Sequence, residues 1–296
     1  MSKKKSDLGP RLVTAAVAIP ILLYVMFVAP PWGFFLLLLW AGPTSVWEYG
    51  NMTFGAQEPR LRNLAALLSA GVYSVMYWAP SHFLGALCGA ATLIMLYVLF
   101  TWKDLEAASE QIAKAITGII YGALMIGTLA LLSRDTGQAG GFWILMTLSL
   151  VWSSDTGAYF TGRAFGKRKL YPSVSPNKSV EGAIGGFFST ILFAFGFNAL
   201  FTYGAGDGYH ANLFGLDFFS IDLVWKELTW WQVLLMAIPA NLLGQMGDLV
   251  ESLIKRAHGF KDSGTVIYGH GGLLDRIDAL IFAAPWVYYF YGTFVA

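Results

Sequence analysis

Nine runs of mainly apolar residues divide this chain, at about 12–29, 33–46, 63–79, 83–100, 114–132, 142–158, 182–203, 230–250 and 273–295. Several reach the ~18 to 20 residues a helix needs to cross about 30 Å of hydrocarbon. Runs of this kind leave few ways to fold, because lipid offers no partner for backbone N–H and C=O groups and only helices and closed barrels satisfy them internally. The dyad alternation of a barrel is absent. The expected fold class is therefore an all-α polytopic membrane protein with about nine transmembrane helices. Only 12% of residues are charged, against roughly 25% in soluble domains. Proline and glycine punctuate the junctions (Pro30, Pro31, Pro80, Gly140, Gly141). Trp32, Trp78, Trp102, Trp230 and Trp231 sit near span ends, where amphipathic rings prefer the interface. The opening MSKKKSDLGPRL leads into the first run with no small-residue cleavage site after it, so it is read as a retained first helix.

Basic residues set the expected orientation. With the N-terminus in the cytoplasm, the inner segments hold Lys3, Lys4, Lys5 and Arg11; Arg60 and Arg62; Lys103 and Lys114; Arg163, Lys167, Arg168, Lys169 and Lys178; and Lys255, Arg256, Lys261 and Arg276. Of the 19 basic residues only Arg134 and Lys226 then fall outside, as the positive-inside rule requires of an odd span count. The outer segment 204–229 reads as a connector. No soluble domain or internal repeat is evident. The chain divides into 1–132, a transmembrane region of five spans, and 133–296, a catalytic region of four spans with cytoplasmic loops.

The polar clusters all fall at the cytoplasmic side of that second region. Ser153 to Tyr159, with Asp155, closes the sixth span. A loop from Gly162 to Lys167 follows, and then 175–182, where Ser175 before Pro176 reads as a helix N-cap with proline at the first helical position. A helix starting there would aim amide N–H groups at an anion, assisted by Lys178, whereas Arg168 and Lys169 read as topology signals. On the eighth span Asn241, Gln245, Asp248, Ser252 and Lys255 recur at 4, 3, 4 and 3 and share one helix face. Asn241 and Gln245 suit interhelical hydrogen bonds; Asp248 and Glu251 need a cation.

Residues 252–278 are the densest polar stretch. Lys255, Arg256, Lys261 and Arg276 supply positive charge; Asp262, Asp275 and Asp278 suit a hard cation; Gly271 and Gly272 let backbone approach a ligand closely. Asp275 and Asp278 share a face at i, i+3. Asp248 and Asp275 then meet at the cytoplasmic mouth, in an arrangement suited to Mg²⁺, which takes one or two carboxylates plus phosphate oxygens. His258 and His270 lack zinc-site spacing, and His270 between glycines reads as a phosphate contact or loop-fixing group. There is no Walker A sequence and no GxGxxG after a strand. The lone Cys88 excludes an internal disulfide.

These residues resemble the signature of the phosphatidate cytidylyltransferase (CDP-diacylglycerol synthase) family, bacterial type. The core pattern S-x-x-K-R-x4-K-D…H-G-G-x-x-D-R-x-D is filled by Ser252, Lys255, Arg256, Lys261, Asp262, His270, Gly271, Gly272, Asp275, Arg276 and Asp278. Upstream, Asp155 to Tyr159 with Gly162, and Ser175-Pro176 with Lys178-Ser179 and Glu181-Gly182, agree. Tyr268 stands where the family usually has proline or a small residue. The resemblance is specific over 153–278; over the first five spans it rests on hydropathy and a similar start.

The resemblance implies an integral enzyme of the cytoplasmic (inner) membrane, its active site facing the cytoplasm. Such an enzyme condenses CTP with phosphatidic acid into CDP-diacylglycerol and pyrophosphate. It implies Mg²⁺ held by Asp248 and Asp275, with room for a monovalent cation such as K⁺. Asp248, Asp275, Lys255, Arg256 and Lys261 would serve catalysis. Asp155, Lys178, Ser179, Ser252, Asp262, His270, Gly271, Gly272, Arg276 and Asp278 would bind substrate. The bilayer and a second copy in a homodimer are the expected partners, with no nucleic acid. The alternatives are a CTP-dependent lipid kinase acting on a polyprenol or phytol, which the complete K-R…K-D…HGG-x-x-DR-x-D run disfavours, and a transporter, which the gathering of charge at one face disfavours.

Overall fold

The computed structural model describes residues 8–54, 58–102, 104–205, 210–212, 220–222, 225–267, 269 and 271–296. Among them the chain forms nine helical rods, one for each apolar run. These are α1 (Leu8–Phe27), α2 (Pro31–Thr53), α3 (Pro59–Trp78), α4 (Phe83–Thr101), a rod of α5 (Leu105–Ile119) and α6 (Met125–Asp135), α7 (Gly140–Phe165), α8 (Val180–Ala205), α9 (Trp230–Ala257) and α10 (Leu274–Phe294). Four stretches are long and apolar enough to cross a membrane: Pro80–Thr101, Ala107–Asp135, Val180–Thr202 and Trp230–Ala257. The remaining rods keep helical length without meeting that standard among the described residues. The connector holds a small hairpin, β3 (His210–Asn212) against β4 (Ser220–Asp222).

Several helices outrun their apolar runs. Helix α2 continues to Thr53, so Glu48 lies on a helix and is wholly buried. Helix α7 continues to Phe165, turning most of the expected 162–167 loop into helix, and α9 continues to Ala257. A rod that projects beyond its apolar stretch lifts polar side chains into the interface without a loop to carry them.

One expected element is different. Ser175 does not cap a helix: Ser175–Ser179 is strand β2, paired antiparallel with β1 (Lys169–Tyr171). The cap lies four residues later. Ser179 Oγ accepts the Gly182 N–H at 3.1 Å, and α8 begins at Val180. The residue before a proline is pushed towards extended geometry, which suits a strand as well as a cap, and pairing with β1 decides in favour of the strand. Glu181 fastens the hairpin to α8 by accepting the Lys167 N–H (3.0 Å), the Arg168 N–H (3.2 Å) and Arg168 Nε (3.3 Å).

Two close approaches shape the interior. Helices α7 and α8 touch almost backbone to backbone. A Cβ on Gly185 would run into Thr161, and one on Gly157 into Ser189. Small residues allow such contact where lipid supplies no hydrophobic drive. Elsewhere the π-type turn Ile120–Leu124, between α5 and α6, lies against α2: a Cβ on Gly122 would sit 2.9 Å from Val46 N. Helix α6 also packs on α10, and α9 on α10 along their length.

Candidate active site

A cavity of about 600 Å³ opens between α7, α8, α9 and the β1–β2 hairpin. Helix α7 contributes Asp155, Tyr159 and Arg163, the hairpin Asn177, Lys178 and Ser179, and α9 Gln245 and Asp248. The polar stripe of α9 holds the walls together. Asn241 Nδ2 donates to Ser154 Oγ on α7 and Thr190 Oγ1 on α8, both at 2.8 Å, and Gln245 Nε2 donates to Asn241 Oδ1 (2.8 Å) and Ala183 O (3.1 Å). These are the interhelical bonds expected of Asn241 and Gln245. One turn on, Asp248 meets Lys178 across the cavity, Nζ to Oδ2 at 2.5 Å. Ser252 Oγ approaches Asp248 Oδ1 at 3.4 Å.

A second polar centre lies where α9 ends and α10 begins. Lys255 is buried and touches Glu251 Oε2, one turn back and wholly buried, and Asp275 Oδ1 at 2.6 Å. Asp275 Oδ2 accepts the N–H groups of Ser263 (2.9 Å) and Gly272 (3.0 Å). The glycines meet two separate demands. Gly271 takes φ +86°, which disfavours any side chain, and a Cβ on Gly272 would strike Ser263 Oγ and Glu48 Oε2. Asp278 lies within electrostatic reach of Asp248, Lys255 and Asp155, because α10 abuts α9 at Gly247, where a Cβ would be 2.5 Å from Asp278 O. The two centres thus adjoin through α9.

The sequence-predicted residues divide between these centres. Asp155, Lys178, Ser179 and Asp248 share the cavity. Lys255, Asp275 and Gly272 form the second centre; Ser252 stands beside Asp248 on α9, and Asp278 lies within electrostatic reach of both centres. Arg256 is exposed and donates to Phe260 O at 2.9 Å; Lys261, Asp262 and Arg276 are exposed as well. His270 and Tyr268 lie outside the described residues.

Two residues escaped the sequence reading. Glu48 of α2 accepts the N–H groups of Leu273 (3.0 Å) and Leu274 (2.8 Å) and the Ser263 hydroxyl (3.2 Å). Tyr121, in the π-type turn, is buried within electrostatic reach of Glu251, Asp278 and Asp248. π-type turns concentrate at functional sites. A lone acid on an otherwise uncharged, mainly apolar helix is a signal of a site, and it marks Glu48 on α2; Tyr121 carries no such mark.

Oxygen donors dominate both centres, and three carboxylates, Asp155, Asp248 and Asp278, share one electrostatic neighbourhood with Lys178 and Lys255. No group of three or more His, Cys, Asp or Glu forms a ready metal cage among the described residues. The carboxylate oxygens of Asp155 and Asp248, which share the cavity, are the hard donors Mg²⁺ takes; Asp275, the other expected ligand, lies in the second centre with Oδ1 on Lys255 and Oδ2 on the Ser263 and Gly272 N–H groups.

The cytidylyltransferase family matches residues 9–294. A phosphatidate cytidylyltransferase of Haemophilus influenzae is 33% identical, covering 96% of this chain and 98% of its own. One of Thermotoga maritima is 30% identical over 94% of each chain. One of Staphylococcus haemolyticus is 41% identical over 70% of this chain and 69% of its own. Matched from its first helix to its last, and by members of near-equal length, the chain belongs to the cytidylyltransferase family.

Proposed function

We propose that the protein transfers the cytidylyl group of CTP to phosphatidic acid, giving CDP-diacylglycerol and pyrophosphate. The reading is carried by one observation: the cavity that joins Asp155, Lys178, Ser179 and Asp248 adjoins the centre in which Lys255 and Asp275 are fixed. The near-full-length match to phosphatidate cytidylyltransferases supplies the substrate.

A phosphatidate oxygen attacks the α-phosphorus of CTP, a new P–O bond forms, the α–β anhydride bond breaks and pyrophosphate leaves. The nucleophile is already anionic near neutral pH, so placement and charge neutralisation dominate over proton transfer. Lys178 and Arg163 face the cavity as phosphate partners. Arg256, Lys261 and Arg276 offer further exposed positive charge. Asp248 and Asp275 are the proposed Mg²⁺ carboxylates, with Asp278 adding charge beside them. When bound, the ion would offset repulsion between the two polyanions and stabilise the leaving pyrophosphate.

In this reading the N-terminus and the site face the cytoplasm of a bacterial inner membrane, supported by the distribution of basic residues. Water-soluble CTP then enters from one side and the lipid from the other. Purified protein incubated with α-labelled CTP, phosphatidate and Mg²⁺ should yield a labelled CDP-lipid and pyrophosphate. Release of CDP with γ-phosphate transfer to an alcohol lipid would overturn the reading in favour of a kinase.

A further inference from the structure

We infer that Glu48, on the second helix, is a positioning residue for the reaction, holding Asp275 in place through the 263–274 segment. The inference rests on the reading above that Asp275 serves the reaction. Glu48 is wholly buried. Its Oε1 accepts the Leu273 N–H at 3.0 Å, and its Oε2 accepts the Leu274 N–H at 2.8 Å and the Ser263 hydroxyl at 3.2 Å. The first two donors open α10 and have no carbonyl within the helix to bond, so a carboxylate there satisfies groups that would otherwise be buried unpaired.

The same contacts reach Asp275. Ser263 Oγ, which donates to Glu48, accepts the Asp275 N–H at 3.3 Å, and the Ser263 N–H donates to Asp275 Oδ2 at 2.9 Å. The Gly272 N–H completes the hold on Asp275 Oδ2. Ser263 is therefore shared between the two carboxyl groups. Two glycines leave room for the arrangement. A Cβ on Gly264 would fall 2.5 Å from Glu48 Oε1, and one on Gly272 would be 2.9 Å from Oε2. Glu48 itself is anchored by α2, whose neighbouring residues Ser45 and Val46 bed against Gly122 of the π-type turn. The chain separates Glu48 from Ser263 by 215 residues, so a helix of the first five spans fixes the geometry of a motif in the last four.

The hydrogen bonds of Glu48 go to Ser263 and the start of α10, none of which lines the cavity. Glu48→Gln keeps the side chain's shape but turns an NH₂ towards at least one N–H or O–H donor. If Glu48 positions Asp275, kcat of this variant should fall by about 10- to 100-fold, the range seen when outer partners of functional groups are lost. The KM for CTP should stay within about twofold, since the nucleotide cavity is untouched. Hydrogen exchange should show the 263–275 amides losing protection while α7 and α8 keep theirs.

A residue that merely supports the fold would lower the amount or thermal stability of folded enzyme and leave kcat per folded molecule unchanged, and that result overturns the inference. Should Glu48→Gln fail to accumulate, Ser263→Ala carries the test, because it keeps both backbone bonds of Glu48 and the Ser263 N–H bond to Asp275 Oδ2, and removes only the hydroxyl that joins Glu48 to the Asp275 N–H. A wild-type kcat in Ser263→Ala overturns the inference equally. Asp275→Asn runs beside both: if it is active, the reading of Asp275 has failed; if it is inactive while Glu48→Gln and Ser263→Ala behave as wild type, only the positioning role has failed.

Discussion

Lys178 and Lys169 sit nine residues apart in one hairpin and count equally for membrane topology, yet their surroundings differ. Lys178 Nζ lies 2.5 Å from Asp248 Oδ2, with the two side chains 29% and 30% exposed. Lys169 is exposed on β1, opposite Ser179. Removing Lys178 leaves Asp248 facing Asp155 and Asp278 with one fewer positive charge, and removes a phosphate partner from the cavity. A hydrogen bond to a charged group contributes about 1.5–3 kcal/mol, so losing the Lys178 contact to a substrate phosphate should cost about 2 kcal/mol. At ~1.4 kcal/mol per tenfold, Lys178→Ala should lower kcat/KM about 30-fold, and Lys169→Ala by less than about twofold. Initial rates in mixed micelles, with CTP and phosphatidate varied separately, measure both. Equal effects within about threefold would refute the argument and return Lys178 to a topological role.

Three further outcomes follow from the geometry. Asp248→Asn keeps shape and loses charge, and should abolish CDP-lipid formation while the protein still inserts and purifies as wild type; near-normal turnover would remove Asp248 from the site. Lys255→Met leaves Glu251 and Asp275 buried together without their cation, so it should cost about 3–5 kcal/mol of stability as well as activity, whereas Arg256→Ala should leave thermal stability within about 0.5 kcal/mol; melting curves in detergent compare them. Gly185→Val forces α7 and α8 apart at Thr161 and should destabilise by roughly 1–3 kcal/mol, as overpacking does, with thermal unfolding as the readout and an unchanged midpoint as the refutation.

What the sequence shows about this molecule follows from the range over which each signal acts. Apolar length is local, and all nine runs appear as rods. The stripe on α9 is local too, and the structure uses it as its spacing suggests, from Asn241 bridging three helices to Lys255 closing on Asp275. The helix start near Ser175 went astray because cap and strand ask the same extended geometry of that residue, and only pairing with Lys169–Tyr171 separates them. Apolar counting also stopped α2, α7 and α9 too early, since a helix continues through polar residues wherever its backbone bonds remain satisfied. Glu48 was illegible as a partner of Leu273 and Leu274 because nothing near residue 48 encodes a helix end more than 220 residues away.

The pairing of charges bears on how substrates enter. Before any ligand arrives, Asp248 is matched by Lys178, and Asp275 with Glu251 by Lys255. With Asp155 and Asp278 alongside, five carboxyl groups face these two lysines, so the site has a place for a further cation. When a polyphosphate takes Lys178 as its partner, Asp248 loses its counter-charge at the same moment. A divalent ion arriving with the nucleotide would restore the balance, since it serves the carboxylate and the phosphates together. In the proposed reaction nucleotide and metal would then favour each other's binding through Lys178 and Asp248. The buried Lys255 is less able to exchange partners, held between two carboxyl groups and shielded from water. In the proposed reaction it would keep Asp275 oriented while the more open Lys178 changes partner, a difference that follows from the exposure of the two lysines.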